Sequence, residues 1–162
     1  MVHATLCFVI RVGASSCVLL GKKKRGFGMG KYNGIGGKLD PGESPEACII
    51  REVHEEVGLT IPAHALRAVG EITFRFPFEP SFDHFVHVFI ATQWDGDPVE
   101  TAEMEPHWFA CHDIPYEKMW QDDAYWLPIV LHGKTIRAEF TFAQDNETVT
   151  SWNIHDRDHV SR

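Results

Sequence analysis

The sequence predicts an α+β fold in which a mixed β-sheet is flanked by helices. Two observations support this. Short β-branched and aromatic runs recur along the chain as strand candidates, and only residues 45–57 and 122–131 read as helices. Residues 4–12 (ATLCFVIRV) and 17–20 (CVLL) are β-branched and apolar, and read as strands. Residues 25–38 (RGFGMGKYNGIGGK) form a glycine-rich loop with short extended pieces. Residues 67–78 and 84–94 alternate well enough to be paired strands, and 107–110 (HWFA) form a short one. Pro128 counts against the second helix. Residues 136–143 and 147–154 form a closing hairpin around Asp145 and Asn146.

A length of 162 residues suits one domain, spanning 1–162, with a sizeable core. Apolar residues make up 44% of the chain, which argues against disorder. No 18-residue apolar run is present, and the start lacks the basic region of a signal peptide. Cys7, Cys17, Cys48 and Cys111 are far apart and form no CxxC pair. They therefore suggest a reducing, cytoplasmic setting rather than a disulfide scaffold or zinc site. A net charge of −8 disfavours long nucleic acids but still admits a small anionic substrate bridged by a metal ion. His84 and His87 flank Val86 and read as ordinary strand residues.

The chemistry concentrates on the helix at 45–57. Ser44 is a good N-cap, Pro45 takes the first helical position, and Gly58 follows the last turn. Ala47, Ile49, Ile50, Val53 and Val57 fall on one side, while Glu52, Glu55 and Glu56 gather on the other with Arg51 beside them. Such a face can simply be solvated. However, three carboxylates repel one another, and a single arginine offsets them only in part. A glycine-rich loop also leads into this helix and can bring backbone close to phosphate. Clustered carboxylates suit a hard cation such as Mg²⁺.

From Gly37 the chain reads Gly, five residues, Glu43, seven residues, Arg51-Glu52, an aliphatic, any residue, Glu55-Glu56, any residue, Gly58, an aliphatic. Average residue usage makes chance agreement on the order of 10⁻¹⁰ per starting position. Through residues 37–59 the chain resembles the Nudix superfamily. The resemblance implies a mixed sheet sandwiched between helices, with Mg²⁺ as cofactor and Mn²⁺ as a possible substitute. It assigns the metal to Glu52, Glu55 and Glu56 with the carbonyl of Gly36. Arg51 would orient Glu43 or Glu55, although Glu43 also fits as an acid at the positive end of the helix dipole. The implied reaction is attack of water on a phosphoanhydride. The metal neutralises the phosphate oxygens and a carboxylate takes the proton, Glu56 being favoured.

The likeness extends to residues 18–37, to Pro98-Val99-Glu100 with Glu103-Met104, to His107-Trp108-Phe109 and to residues 114–128. These resemble the branch that hydrolyses oxidised purine nucleoside triphosphates such as 8-oxo-dGTP and 2-oxo-dATP. The products are the monophosphate and pyrophosphate, and the activity sanitises the nucleotide pool. Glu103 matches a further metal ligand, and Asn33, Trp120, Asp122 and Asp123 match residues that read the purine. Phe27, Phe74 and Trp126 match apolar walls, and Lys23 matches a polar contact nearby. Each also has an ordinary reading. Asn33-Gly34 suits a turn, the aspartates suit a helix cap, the aromatics suit a core, and Lys22–Arg25 suits a solvated basic run. The sequence departs from the branch in two places. Phe8 stands at a pocket threonine, and the stretch 76–85 is one residue longer, which leaves Phe82 or Asp83 near a pocket methionine. The reading is of a monomer acting on a small nucleotide, away from membranes and nucleic acid polymers. The alternatives are a Nudix hydrolase of ADP-ribose or dinucleoside polyphosphates, or a nucleotide-sensing module.

Overall fold

The computed structural model describes residues 1–158. In chain order the elements are β1 (Val2–Arg11), β2 (Cys17–Lys23), β3 (Tyr32–Asn33), α1 (Pro45–Val57), β4 (Leu66–Arg75), β5 (His84–Ala91), β6 (Met104–Ala110), α2 (Asp123–Leu131), β7 (Lys134–Phe142) and β8 (Val149–Asp158). The strands form one mixed sheet in the order β3-β2-β1-β5-β4-β7-β8, with β6 on the other edge of β2. The pairs β1·β5 and β4·β7 are parallel and the rest antiparallel.

Alternation along the strands divides the core into two layers. Cys7 and Val9 of β1 face α1, where Ile49, Val53 and Val57 are buried with Leu19, Ile35 and Phe89. Phe8 faces the other way, against Trp126, Leu127 and Val130 of α2. The expected sandwich is therefore present. Burial of Ile49, Val53 and Val57 holds α1 to the sheet at about 1.5–3 kcal/mol each.

The limits of α1 are those expected. Ser44 Oγ accepts the Ala47 N–H at 3.1 Å. Gly58, at φ 75°, closes the last turn by donating to the His54 carbonyl. One helix position differs: Ala47 is exposed, and Cys48 takes the buried place beside Ile49. The second helix starts one residue later than expected and continues through Pro128, because buried Trp126, Leu127 and Val130 anchor it on both sides of the proline. β1 starts earlier than expected, and β2 and β6 are longer. β4 and β5 are shorter, β4 ending at Arg75 ahead of Pro77 and β5 ending at Ala91. The final hairpin turns where expected: Asn146 has φ 58°, and Asp145 Oδ1 accepts the N–H groups of Glu147 and Thr148.

The arrangement that builds the site is a split between β1 and β2. They pair only from Val9↔Leu19 to Arg11↔Cys17 and then diverge, and the glycine-rich segment enters the gap. Its Ile35 exchanges two hydrogen bonds with Cys7, and its Gly37 carbonyl accepts the Thr5 N–H at 2.8 Å. A Cβ on Gly36 would lie 1.9 Å from the Thr5 carbonyl oxygen, so only glycine lets this segment pass.

Candidate active site

α1 presents its carboxylates around one arginine. Arg51 donates from Nε and an Nη to the two oxygens of Glu43, at 2.8 Å each. Its other Nη donates to Glu52 at 2.9 Å and to Glu55 at 3.2 Å. The choice between Glu43 and Glu55 is thus resolved as a bidentate pair with Glu43 and a single, longer bond to Glu55. The hydrogen bonds from Arg51, helped by the Asp40 N–H, hold the Glu43 carboxyl down to about 2. Glu52 lies directly over Gly37, where a Cβ would come 2.4 Å from its carboxyl carbon. Burial pushes the Glu52 carboxyl up despite Arg51. Glu55 is turned outward, with its side chain 56% exposed.

Glu56 faces inward. Burial, followed by the charges of Glu52 and Glu103, pushes its carboxyl up to about 8 against the opposing effect of Lys23 and the Gly36 amide. Its Oε2 is buried with no hydrogen-bond partner. Glu103 comes near because the β5–β6 loop is fastened to the end of α1. The Val99 N–H donates to the Val57 carbonyl, and the Thr101 hydroxyl donates to the Glu56 carbonyl, both at 2.9 Å. Glu103 itself pairs with Arg25, and Lys24 pairs with Glu100. Among the described residues, no three His, Cys, Asp or Glu side chains are grouped so that they could hold a metal ion by themselves.

One cavity of about 210 Å³ joins Glu56 to the second group of expected residues. Lys23, Phe27, Asn33, Gly36, Phe74, Trp120, Asp122, Asp123 and Trp126 all line it. Glu43, Arg51, Glu52, Glu55 and Glu103 stand outside its lining, so Glu56 is the α1 carboxylate that reaches in. Asp122 and Asp123 are each 2% exposed, and neither caps α2 through its side chain. Asp122 Oδ2 accepts the Trp126 indole N–H at 2.8 Å, whereas Asp123 Oδ2 is buried without a partner. Burial pushes Asp122 up to about 6. Burial together with the Asp122 charge raises Asp123 well above the ordinary aspartate range.

Two sequence expectations about the pocket are corrected. Phe8 does not line it. Its ring is fully buried and packs edge-on against Trp126, with centroids 5.7 Å apart, while Ala4, Thr5 and Leu6 form that wall. Neither Phe82 nor Asp83 lines it either. A short turn at Pro80–Phe82 swings Phe82 onto Phe27 at 4.6 Å, and Asp83 accepts the Phe76 N–H at 2.7 Å. His84 takes the place in the wall instead.

Sequence reasoning also missed Lys31, Phe76, Val86, Met104 and Phe142 in this lining. Strand alternation offered a signal for two of these: Phe76 keeps the parity of Phe74, and Val86 that of His84. Lys31 lies over the Trp120 ring at 5.1 Å and 3.4 Å from Glu147, contacts with no local signature.

The NUDIX domain model matches residues 1–129. The chain belongs to the Nudix family. Two Nudix relatives carry the name oxidized purine nucleoside triphosphate hydrolase. The one from Mus musculus is 43% identical over 141 residues, covering 87% of this chain and 88% of its own. The one from Danio rerio is 44% identical over 138 residues, covering 85% of each. Among solved structures, a MutT protein from Bacillus halodurans superposes with a TM-score of 0.81 at 24% identity, covering 95% of this chain and 97% of its own. That likeness concerns the Nudix fold. Among the described residues, no helix is long and apolar enough to cross a membrane.

Proposed function

We propose that this Nudix protein hydrolyses oxidised purine nucleoside triphosphates, of the 8-oxo-dGTP and 2-oxo-dATP type, to the monophosphate and pyrophosphate. One observation carries the proposal. Glu56, a carboxylate of the Nudix helix, and the buried Asp122–Asp123 pair line the same cavity. A group suited to phosphate chemistry and a pair suited to reading a purine edge thus share one space. The names of the mouse and zebrafish relatives agree with this reading.

The surroundings of Glu56 favour a divalent cation. Glu56 Oε2 is buried without a partner, and the charges of Glu52 and Glu103 raise its carboxyl further. These conditions favour an added positive charge. Glu52, Glu55, Glu56 and Glu103, with the Gly36 carbonyl, would hold Mg²⁺, or Mn²⁺ in its place. When bound, the ion supplies charge neutralisation at the phosphate oxygens.

The chain's own groups supply the rest. Arg51 fixes Glu43 and Glu52 through three hydrogen bonds and so sets the loop–helix junction. Glu56 is the proton acceptor for the attacking water. Lys23 lies beside Glu56 and the cavity, placed to offset phosphate charge. Asn33, Trp120, Asp122 and Asp123 hold the base, with Phe27, Phe74 and Trp126 excluding water around it. The same reading has a cytoplasmic monomer, with Cys7, Cys17, Cys48 and Cys111 as free thiols.

The test is kcat/KM with Mg²⁺ for 8-oxo-dGTP, 2-oxo-dATP, O6-methyl-dGTP, dGTP and ADP-ribose, following pyrophosphate release. Preference for the modified purine triphosphates is expected. Preference for ADP-ribose, or no turnover of any of them, refutes the proposal.

A further inference from the structure

We propose that His84 is a specificity-determining residue of the cavity, its Nε2 accepting a hydrogen bond from a purine N–H that oxidation creates. The inference rests on reading the cavity as a purine site.

His84 opens β5 and lines the cavity. Its ring is stacked against Phe74 at 5.0 Å and Phe76 at 5.9 Å, which restricts its orientation. Nδ1 lies 2.6 Å from the Phe82 carbonyl oxygen. A carbonyl only accepts, so Nδ1 carries the proton, and in the neutral ring Nε2 keeps a bare lone pair. No described residue bonds to Nε2. Burial lowers the ring's pKa from its ordinary value and keeps it neutral near pH 7. The Lys38 charge acts in the same direction, while the Phe82 carbonyl and Asp83 oppose it. The longer stretch before β5 makes this geometry possible. The turn at Pro80–Phe82 brings the Phe82 carbonyl under the ring, and Asp83 ties that turn to Phe76.

A fixed acceptor discriminates at one purine position in particular. Undamaged guanine and adenine present N7 as an acceptor. Oxidation at C8 places a proton on N7 and makes it a donor. Nε2 attracts the C8-oxidised edge and sets lone pair against lone pair with every purine whose N7 is bare, so this one atom selects 8-oxo purines over undamaged ones. Acceptance of 2-oxo-dATP, whose N7 is also bare, falls to Asp122 and Asp123. Asp122 and Asp123 reach the cavity from the start of α2 rather than from β5, so the two readings come from separate elements.

Three variants test this. His84→Phe keeps an aromatic ring beside Phe74 and Phe76. His84→Asn keeps a donor for the Phe82 carbonyl and removes Nε2. His84→Gln sets an amide oxygen near the Nε2 position. The measurements are kcat/KM for 8-oxo-dGTP against dGTP, and metal-free affinity for 8-oxo-dGMP against dGMP by tryptophan fluorescence. His84→Phe and His84→Asn are expected to lower the oxidised-to-undamaged ratio about tenfold in both measurements, and His84→Gln to keep most of it. If folded His84→Phe or His84→Asn protein keeps the wild-type ratio within about twofold, or loses both substrates equally, His84 is only a wall residue. Failure of the wild type to turn over any oxidised purine overturns the substrate reading itself, a result distinct from an unchanged ratio.

Discussion

The Trp126 indole donates its N–H to Asp122 at 2.8 Å, and the adjacent Asp123 is left with a buried oxygen that nothing satisfies. Two adjacent carboxylates, one bonded and one bare, cannot both ionise easily in this setting. A proton shared between them presents one donor and one acceptor edge, and moving it swaps the pattern. A site of this kind accepts either a guanine-type edge or an oxidised adenine edge. Asp122→Asn and Asp123→Asn each fix one arrangement. We expect each to lower kcat/KM and to change the ratio between 8-oxo-dGTP and 2-oxo-dATP, at a cost of roughly 1–3 kcal/mol or about 5–150-fold. Equal losses on both substrates at every pH would exclude the shared-proton account.

The same pair makes stability depend on pH. Both folded-state pKa values lie above the ordinary aspartate value, so as pH rises past that value the folded chain binds more protons than the unfolded one. Stability from this source is full below the unfolded pKa and is lost as pH rises through about 6 and beyond. Thermal melts should show a decline over that range that flattens in the Asp122→Asn/Asp123→Asn double variant. A decline of the same size in the double variant would assign it to other groups.

Arg51 and Glu43 behave in the opposite sense. The Glu43 carboxyl is held near 2 instead of 4.5, so the pair stabilises above the unfolded pKa and its contribution is lost as pH falls through about 2. Arg51→Met should reduce stability at pH 7, weaken the acid-side slope, and lower kcat by releasing Glu52 and Glu55. Arg51→Lys should rescue little, since an ammonium cannot make the two-pronged contact with Glu43. Wild-type turnover in Arg51→Lys would contradict the assignment.

Glu56→Gln preserves shape while removing the inward-facing charge. Turnover should fall about 10²-fold or more with the fold intact. Metal-free wild-type protein should be less stable than Mg²⁺-bound protein, with the gap widening as pH rises through about 8 and Glu56 ionises. Melts with EDTA and with Mg²⁺ across pH measure this, and Glu56→Gln should narrow the gap. Activity within about threefold of wild type would remove Glu56 from the mechanism.

Gly36→Ala should destabilise by about 2–4 kcal/mol, or roughly 5–15 °C, because its Cβ meets the Thr5 carbonyl at 1.9 Å. Gly13→Ala, with nothing within 4 Å, is the neutral control. Equal melting temperatures for the two variants would show that the loop does not need to pass so close to β1.

The helix Pro45–Val57 was legible in the sequence with its caps, because capping, helical spacing and the Nudix spacing are all local properties of one segment. The eight residues that the resemblance assigns to the base are brought by the structure to one cavity. Pairing across distant segments was not legible. The sequence shows a glycine-rich stretch, but only the sheet shows that it is wedged between β1 and β2. Position 8 matched a pocket residue by count, and Phe8 shares the strand face of Ala4 and Leu6, yet its ring is buried in the core against Trp126 and does not reach the cavity. His84 read as an ordinary strand residue until the turn before β5 and its neighbours Phe74 and Phe76 placed it in the wall. Short-range periodicity determines what each segment becomes. Register, strand order and the path of a loop depend on contacts between residues far apart in the chain, and those contacts decide which side chains meet.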